Sequence, residues 1–228
     1  MPAAELIDDV RRELAAAADP ARAPAMQQYM KSDMPYYGVR LPDVRRICRP
    51  IFAAHPLESD GAFGDAVDRL FACATHREER YAAIELAKHR LYRTYQTPDR
   101  LPLYRRLIVA GAWWDTVDDI AGNLIGPILV AHPGEVRPIV LGWATDENPW
   151  VRRTAIIAQL GAKQRTDLGL LTAAIDANAP DKDFFIRKAI GWALRQYART
   201  DPAWVREFVD AREDRLSGLS KREARKHL

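Results

Sequence analysis

Trp150-Val151-Arg152-Arg153 and Phe185-Ile186-Arg187-Lys188 are the two stretches on which the fold turns. Each carries an aromatic, a β-branched residue and two basic residues, and they stand 35 residues apart. Each also opens the second helix of a pair, the first after Asn148-Pro149 and the second after Ala179-Pro180. Two helices per unit, repeating every 35–45 residues or so, are the mark of a HEAT-like α-solenoid: roughly that period buries a core only by stacking neighbours.

Working outward, the pattern continues in both directions. Helical periodicity and proline breaks pair 136–144 with 150–160, and 168–177 with 184–199. Towards the N-terminus they pair 63–73 with 78–91, and 103–109 with 113–131; a last pair covers 203–211 and 221–227. Ahead of these, Leu6, Val10 and Leu14 share one face of a first helix, 26–30 form a second, and Leu41-Pro42-Asp43 opens a third that ends at His55-Pro56. The expected fold is all-α, a HEAT-like α-solenoid of antiparallel helix pairs filling one domain over 1–228. Its concave face is the expected binding surface.

Composition bounds the partners. The chain has 228 residues and a net charge of +3, with Lys and Arg gathered late: Arg152-Arg153, Arg187-Lys188, Arg195, Arg199 and the tail 221–226. A clustered basic face is the footprint of phosphate binding, although any one such pair also reads as a solvated helix face. Cys48 and Cys73 have neither CxxC spacing nor paired histidines, and read as buried thiols of a reducing cytoplasm. No apolar run reaches membrane-spanning length and no secretory pattern opens the chain, so a cytoplasmic protein without membrane association is expected. There is no phosphate loop, no HExxH, no GxSxG and no metal-ligand spacing, so neither metal nor cofactor is expected.

The chemistry then falls to Trp113-Trp114-Asp115-Thr116-Val117-Asp118. Adjacent tryptophans on a helix point about 100° apart, so one can enter the core and the other cannot follow it. Trp114 and Asp118 are spaced i,i+4 and share a face, which sets an aromatic platform beside a carboxylate. Arg153 and Trp192 lie on the second helices of the next two pairs, and stacking would bring all four residues to one surface. The bland alternative makes Asp118 an exposed helix acid with Arg153 as its ion-pair partner. Trp143, Trp150 and Trp204 are expected in the core.

These segments resemble the AlkD family of bacterial DNA alkylation-repair glycosylases. The likeness rests on WWDTVD at 113–118, WVRRTAI at 150–156 and FFIRKAIGWALRQY at 184–197. Tyr29-Met30-Lys31, Gly38-Val39-Arg40-Leu41-Pro42 and LSKREA at 219–224 add to it, in order from near residue 24 to the last residues. The resemblance implies a superhelix that wraps duplex DNA and excises N3- and N7-alkylated purines, and such an elongated groove suits a monomer. It makes Asp118 the catalytic carboxylate, Trp114 and Trp192 the essential indoles, and Arg153 the DNA-contacting arginine. Arg195 would contact the DNA backbone and Tyr29 would be the aromatic near the N-terminus; the basic cluster noted above adds Arg152, Arg187 and Lys188 to the expected DNA-binding set. Leu41 departs from the family, where a hydroxyl residue is expected before the proline.

Such chemistry needs few groups. Ordinary glycosidases use two carboxylates, one of them to protonate the leaving group. An N3- or N7-alkylated purine is already cationic and leaves without an acid, so one carboxylate suffices to stabilise the oxocarbenium sugar and orient water. The indoles would hold the cationic sugar by their faces. The resemblance also implies that the lesion stays in the duplex, in contrast to base flipping, so an open groove is expected. The alternative function is a non-catalytic HEAT-like protein that binds damaged or structured DNA.

Overall fold

The computed structural model describes residues 2–228 and is all-helical, with no strand among the described residues. In chain order the helices are α1 (Pro2–Ala16), α2 (Ala23–Met30), α3 (Leu41–Ala54), α4 (Asp60–Ala72) and α5 (Arg77–Ala87). There follow α6 (Leu101–Gly111), α7 (Trp114–Ile120), α8 (Gly126–Ala131), α9 (Pro133–Trp143) and α10 (Pro149–Ile157). The chain closes with α11 (Leu168–Asn178), α12 (Phe184–Tyr197), α13 (Pro202–Asp210) and α14 (Gly218–Ala224). They form two compact units divided after Gln96.

In the first unit α1 packs on α3, α4 and α5. Leu6, Val10 and Leu14 are buried there with Val44, Cys48 and Phe52 of α3 and Phe63, Val67 and Leu70 of α4. The connection from α2 to α3 is held by a buried carboxylate: Glu78 accepts hydrogen bonds from the backbone N–H groups of Tyr37, Gly38 and Val39 at 3.0, 2.9 and 3.0 Å. Burial pushes the Glu78 carboxyl up, and those N–H groups pull it back. Gly38 is required in this connection. Its φ of +87° is left-handed, and a Cβ would stand 2.2 Å from the Asp19 carbonyl oxygen.

In the second unit, side-chain caps start the helices where the sequence breaks. Asn148, Asp167, Asp183, Asp201 and Ser217 each accept a backbone N–H from the first turn of α10, α11, α12, α13 and α14. Between α7 and α8 the helix does not stop. Residues Ala121–Ile125 form a π-helical turn, so α7 and α8 are one rod. At its far side Gly126 lies against the end of α10, where a Cβ would meet the Ala158 carbonyl oxygen at 2.3 Å.

Several expectations need correction. Cys73 caps the end of α4 and is exposed; Cys48 alone is buried, and burial pushes its thiol up to about 12. Of the tryptophans assigned to the core only Trp143 is buried, while Trp150 and Trp204 are half-buried because each sits in the first turn of its helix. α5 ends at Ala87 instead of running to 91, because His89 is extended and a 3-10 turn follows. α14 begins at Gly218 instead of 221, because Ser217 caps it.

Candidate functional site

The turn from α6 to α7 positions the site. Ala112 takes a left-handed conformation, φ 36°, and Trp113 is extended, so the chain reverses and α7 begins at Trp114. Trp113 is therefore the N-cap residue and turns inward. Its ring lies 5.8 Å from Trp150 and 5.1 Å from Phe185, which themselves are 5.0 Å apart. These aromatics join the N-terminal ends of α7, α10 and α12. The expectation that one of the two tryptophans enters the core is not met: Trp113 is extended at the N-cap and, like Trp114 on the first turn of α7, is half-buried.

One helical turn on, Asp118 meets Arg153. The guanidinium donates from Nε to Oδ1 and from Nη2 to Oδ2, both at 2.7 Å, the parallel two-point geometry of a strong arginine–carboxylate pair. Its Nη1 donates to the Phe185 carbonyl oxygen at 2.5 Å, so a single side chain of α10 ties α7 to α12. Arg153 is buried, with its side chain 6% exposed, while the Asp118 side chain keeps 16%. Burial raises the Asp118 carboxyl above the usual aspartate range. The hydrogen bonds and charge of Arg153 oppose that, and Asp115 and Asp119 add to it. Each carboxylate oxygen has a second lone pair beyond the one that Arg153 occupies.

Arg153 is thus already engaged as the bland alternative had it, its guanidinium facing Asp118 and a backbone carbonyl, which leaves one hydrogen on each of Nη1 and Nη2 for a phosphate. Trp192 is half-buried on α12, two turns after Phe185 on the same stripe. No hydrogen bond or ring contact joins Trp114 or Trp192 to the Asp118 pair among the described residues.

The other expected DNA-binding cations are largely engaged. Arg195 Nη1 donates to Glu223 at 2.6 Å and Lys188 pairs with the same carboxylate at 3.1 Å. Arg152 pairs with Asp181 at 2.8 Å, and also donates to Asn178 and to the Asp146 and Glu147 carbonyls. Arg187 donates to the Asp181 carbonyl. In the first unit Tyr29 stands on α2 with its residue 76% exposed, and Leu41 is the first residue of α3, whose N-cap position is Arg40, without a side-chain cap. A cavity of about 280 Å³ between the ends of α10 and α12, lined in part by Gln159, Lys163, Gln196 and Arg199, includes none of the four residues read as the site.

Sequence reasoning missed the aromatic cluster of Trp113, Trp150 and Phe185. The signal was present: each of these residues stands at or just inside the start of a second helix.

A model of the DNA alkylation repair enzyme family matches residues 10–228. The chain is also similar to the solved structure of a predicted DNA alkylation repair enzyme from Enterococcus faecalis. The TM-score is 0.80 at 32% identity, over 92% of this chain and 96% of that one. No curated protein matches the chain.

Proposed function

The chain belongs to the DNA alkylation repair enzyme family, and we propose that it acts there as a DNA glycosylase, hydrolysing the N-glycosidic bond of cationic N3- or N7-alkylated purines in duplex DNA. The observation that carries this reading is the two-point Arg153–Asp118 pair, one helical turn from Trp114. A buried ion pair adds little net stability over an apolar pair of the same size. What it does supply is a carboxylate of fixed orientation whose outer lone pairs still reach solvent.

Asp118 is the catalytic carboxylate, placed to stabilise the oxocarbenium sugar and to orient the attacking water. A preorganised charge needs no rearrangement as the bond breaks, which is why one group can suffice for a leaving base that is already cationic. Arg153 is a positioning residue that acts through Asp118. Trp114 and Trp192 hold the cationic sugar by their faces. Lys188 and Arg195 meet strand phosphates with the donors that Glu223 does not occupy, helped by Arg152 and Arg187, and Tyr29 contacts the duplex from the first unit. The protein works as a cofactor-free monomer in the cytoplasm, associated with the nucleoid while bound.

The test is incubation with duplex DNA containing N7-methylguanine, followed by measurement of free base and abasic sites. Base release is expected. Duplex binding without release would favour the non-catalytic alternative.

A further inference from the structure

Within the first unit, α3 and the turn after α5 border an open cleft of about 250 Å³. It is lined by Arg45, Arg49, Phe52, Glu85, Lys88, His89 and Arg90. Four side chains that are always cationic at neutral pH therefore surround one carboxylate. That carboxylate is doubly committed, accepting from Arg45 Nε at 2.8 Å and Lys88 Nζ at 2.7 Å. Arg49 and Arg90 have no carboxylate partner among the described residues, unlike Arg11, Arg137, Arg152, Arg195 and Arg212, which all do. His89 Nδ1 is buried without a hydrogen-bond partner, and Phe52 holds the ring edge-on at 5.7 Å. Burial, then the charges of Arg90 and Arg49, keep its imidazole below the usual histidine range.

Four cations share one carboxylate here, and the excess positive charge favours entry of an anion. We propose that this cavity binds a single phosphate group between Arg49 and Arg90, beside the His89 ring that lines it. Arginine forks match phosphate oxygens two at a time, and the His89 ring lining the same cavity reports on what enters it. The Glu85 pairs keep Arg45 and Lys88 in place as the far wall. Two sources share this chemistry: a phosphate of a DNA strand, or a free phosphate compound. The proposal does not depend on base-release activity.

The experiment uses the full chain with ¹⁵N-labelled histidine, read by the ring-nitrogen resonances. Inorganic phosphate is titrated against chloride at equal ionic strength, and an undamaged duplex is titrated separately. His89 is expected to shift with phosphate, and to lose that response in R49Q/R90Q, whose substituted residues are exposed and leave the core untouched. A His89 shift with duplex, with a salt slope that falls by about 0.9 per lost contact in the variant, assigns a strand phosphate. A shift with phosphate but not with duplex assigns a free phosphate compound. No shift with either, or an undiminished shift in the variant, overturns the proposal. Base release measured on the same preparations shows whether the glycosylase reading stands or falls by itself.

Discussion

Gly191 and Glu223 approach so closely that a Cβ built on Gly191 would stand 2.4 Å from the Cβ of Glu223 and 2.8 Å from the Ser220 carbonyl oxygen. α12 and α14 are therefore in near-backbone contact at this point. The Glu223 carboxylate then collects Arg195, Lys188 and Lys226 at 2.6, 3.1 and 2.7 Å. One small residue and one carboxylate dock the last helix.

Gly191→Ala is expected to push α14 away from α12, because neither the Ser220 backbone nor a Cβ can swing aside. Overpacking of this kind costs roughly 1–3 kcal/mol. Urea unfolding should show a lower midpoint with an unchanged m-value. A wild-type midpoint would mean that the helices separate freely.

The three cations around Glu223 hold its carboxyl down at about 2, from 4.5, with Lys226 the largest cause. A depressed carboxyl stabilises the fold above its unfolded value, and that contribution is lost as pH falls through the interval down to about 2. Glu223→Gln should therefore be less stable than wild type at neutral pH. The gap should close as the pH is lowered through that interval, in thermal melts of the two proteins.

Asp118→Asn is expected to lower single-turnover release of N7-methylguanine by about 10²-fold or more. It also leaves the buried Arg153 charge without its counterion, at a cost of up to roughly 3–5 kcal/mol. Stability and catalysis can be separated with Asp118→Leu/Arg153→Met, which removes both charges at once. Thermal stability should recover in the double variant while base release stays lost. Because burial raises the Asp118 carboxyl, release by the wild type should begin to fall, on acidification, above the ordinary aspartate range. Base release that returned with stability would reduce the pair to a structural role.

Trp114→Ala and Trp192→Ala remove half-buried indoles that make no ring contact with the pair. If each indole contributes a cation–π interaction of about 0.5–2 kcal/mol, base release falls by roughly 2- to 30-fold per substitution. Duplex affinity for undamaged DNA should change less. A loss of affinity that matches the loss of release would make these residues binding groups only.

Much of this molecule is legible in one dimension. Asn148-Pro149 and Asp201-Pro202 announce a capping side chain followed by a proline that accepts the first helical position, and helices start there. Trp114 and Asp118 could be placed on one face because a single helix carries both. What could not be read was the use of the charges. Glu223 sits inside a basic run, yet it is buried and draws in Arg195 from 28 residues away, a distance in sequence that no helical period reports. Arg153 and Asp118, 35 apart, were within reach of the repeat argument, but the tie from Arg153 to the Phe185 carbonyl on a third helix was not. The cavity around His89 gave no signal either, since its cations come from α3 and from the turn after α5, and look solvated when taken singly.

The π-helical turn at Ala121–Ile125 has a consequence for how Asp118 is aimed. Buried residues along this rod recur as Thr116/Val117, Ile120/Ala121, Leu124/Ile125 and Ile128/Leu129. Their spacing is four, and three such steps use 12 residues where an α-helix would use about 11. The π turn absorbs the surplus residue and so acts as a phase shift. Upstream side chains are rotated by about 100° relative to where an unbroken helix, keyed to Ile128 and Leu129, would put them. Deleting Gly122 would erase that offset and force a choice. Either the downstream pair stays in the core and Asp118 swings off the Arg153 fork, or Asp118 stays and the rest of the rod turns its apolar side outward.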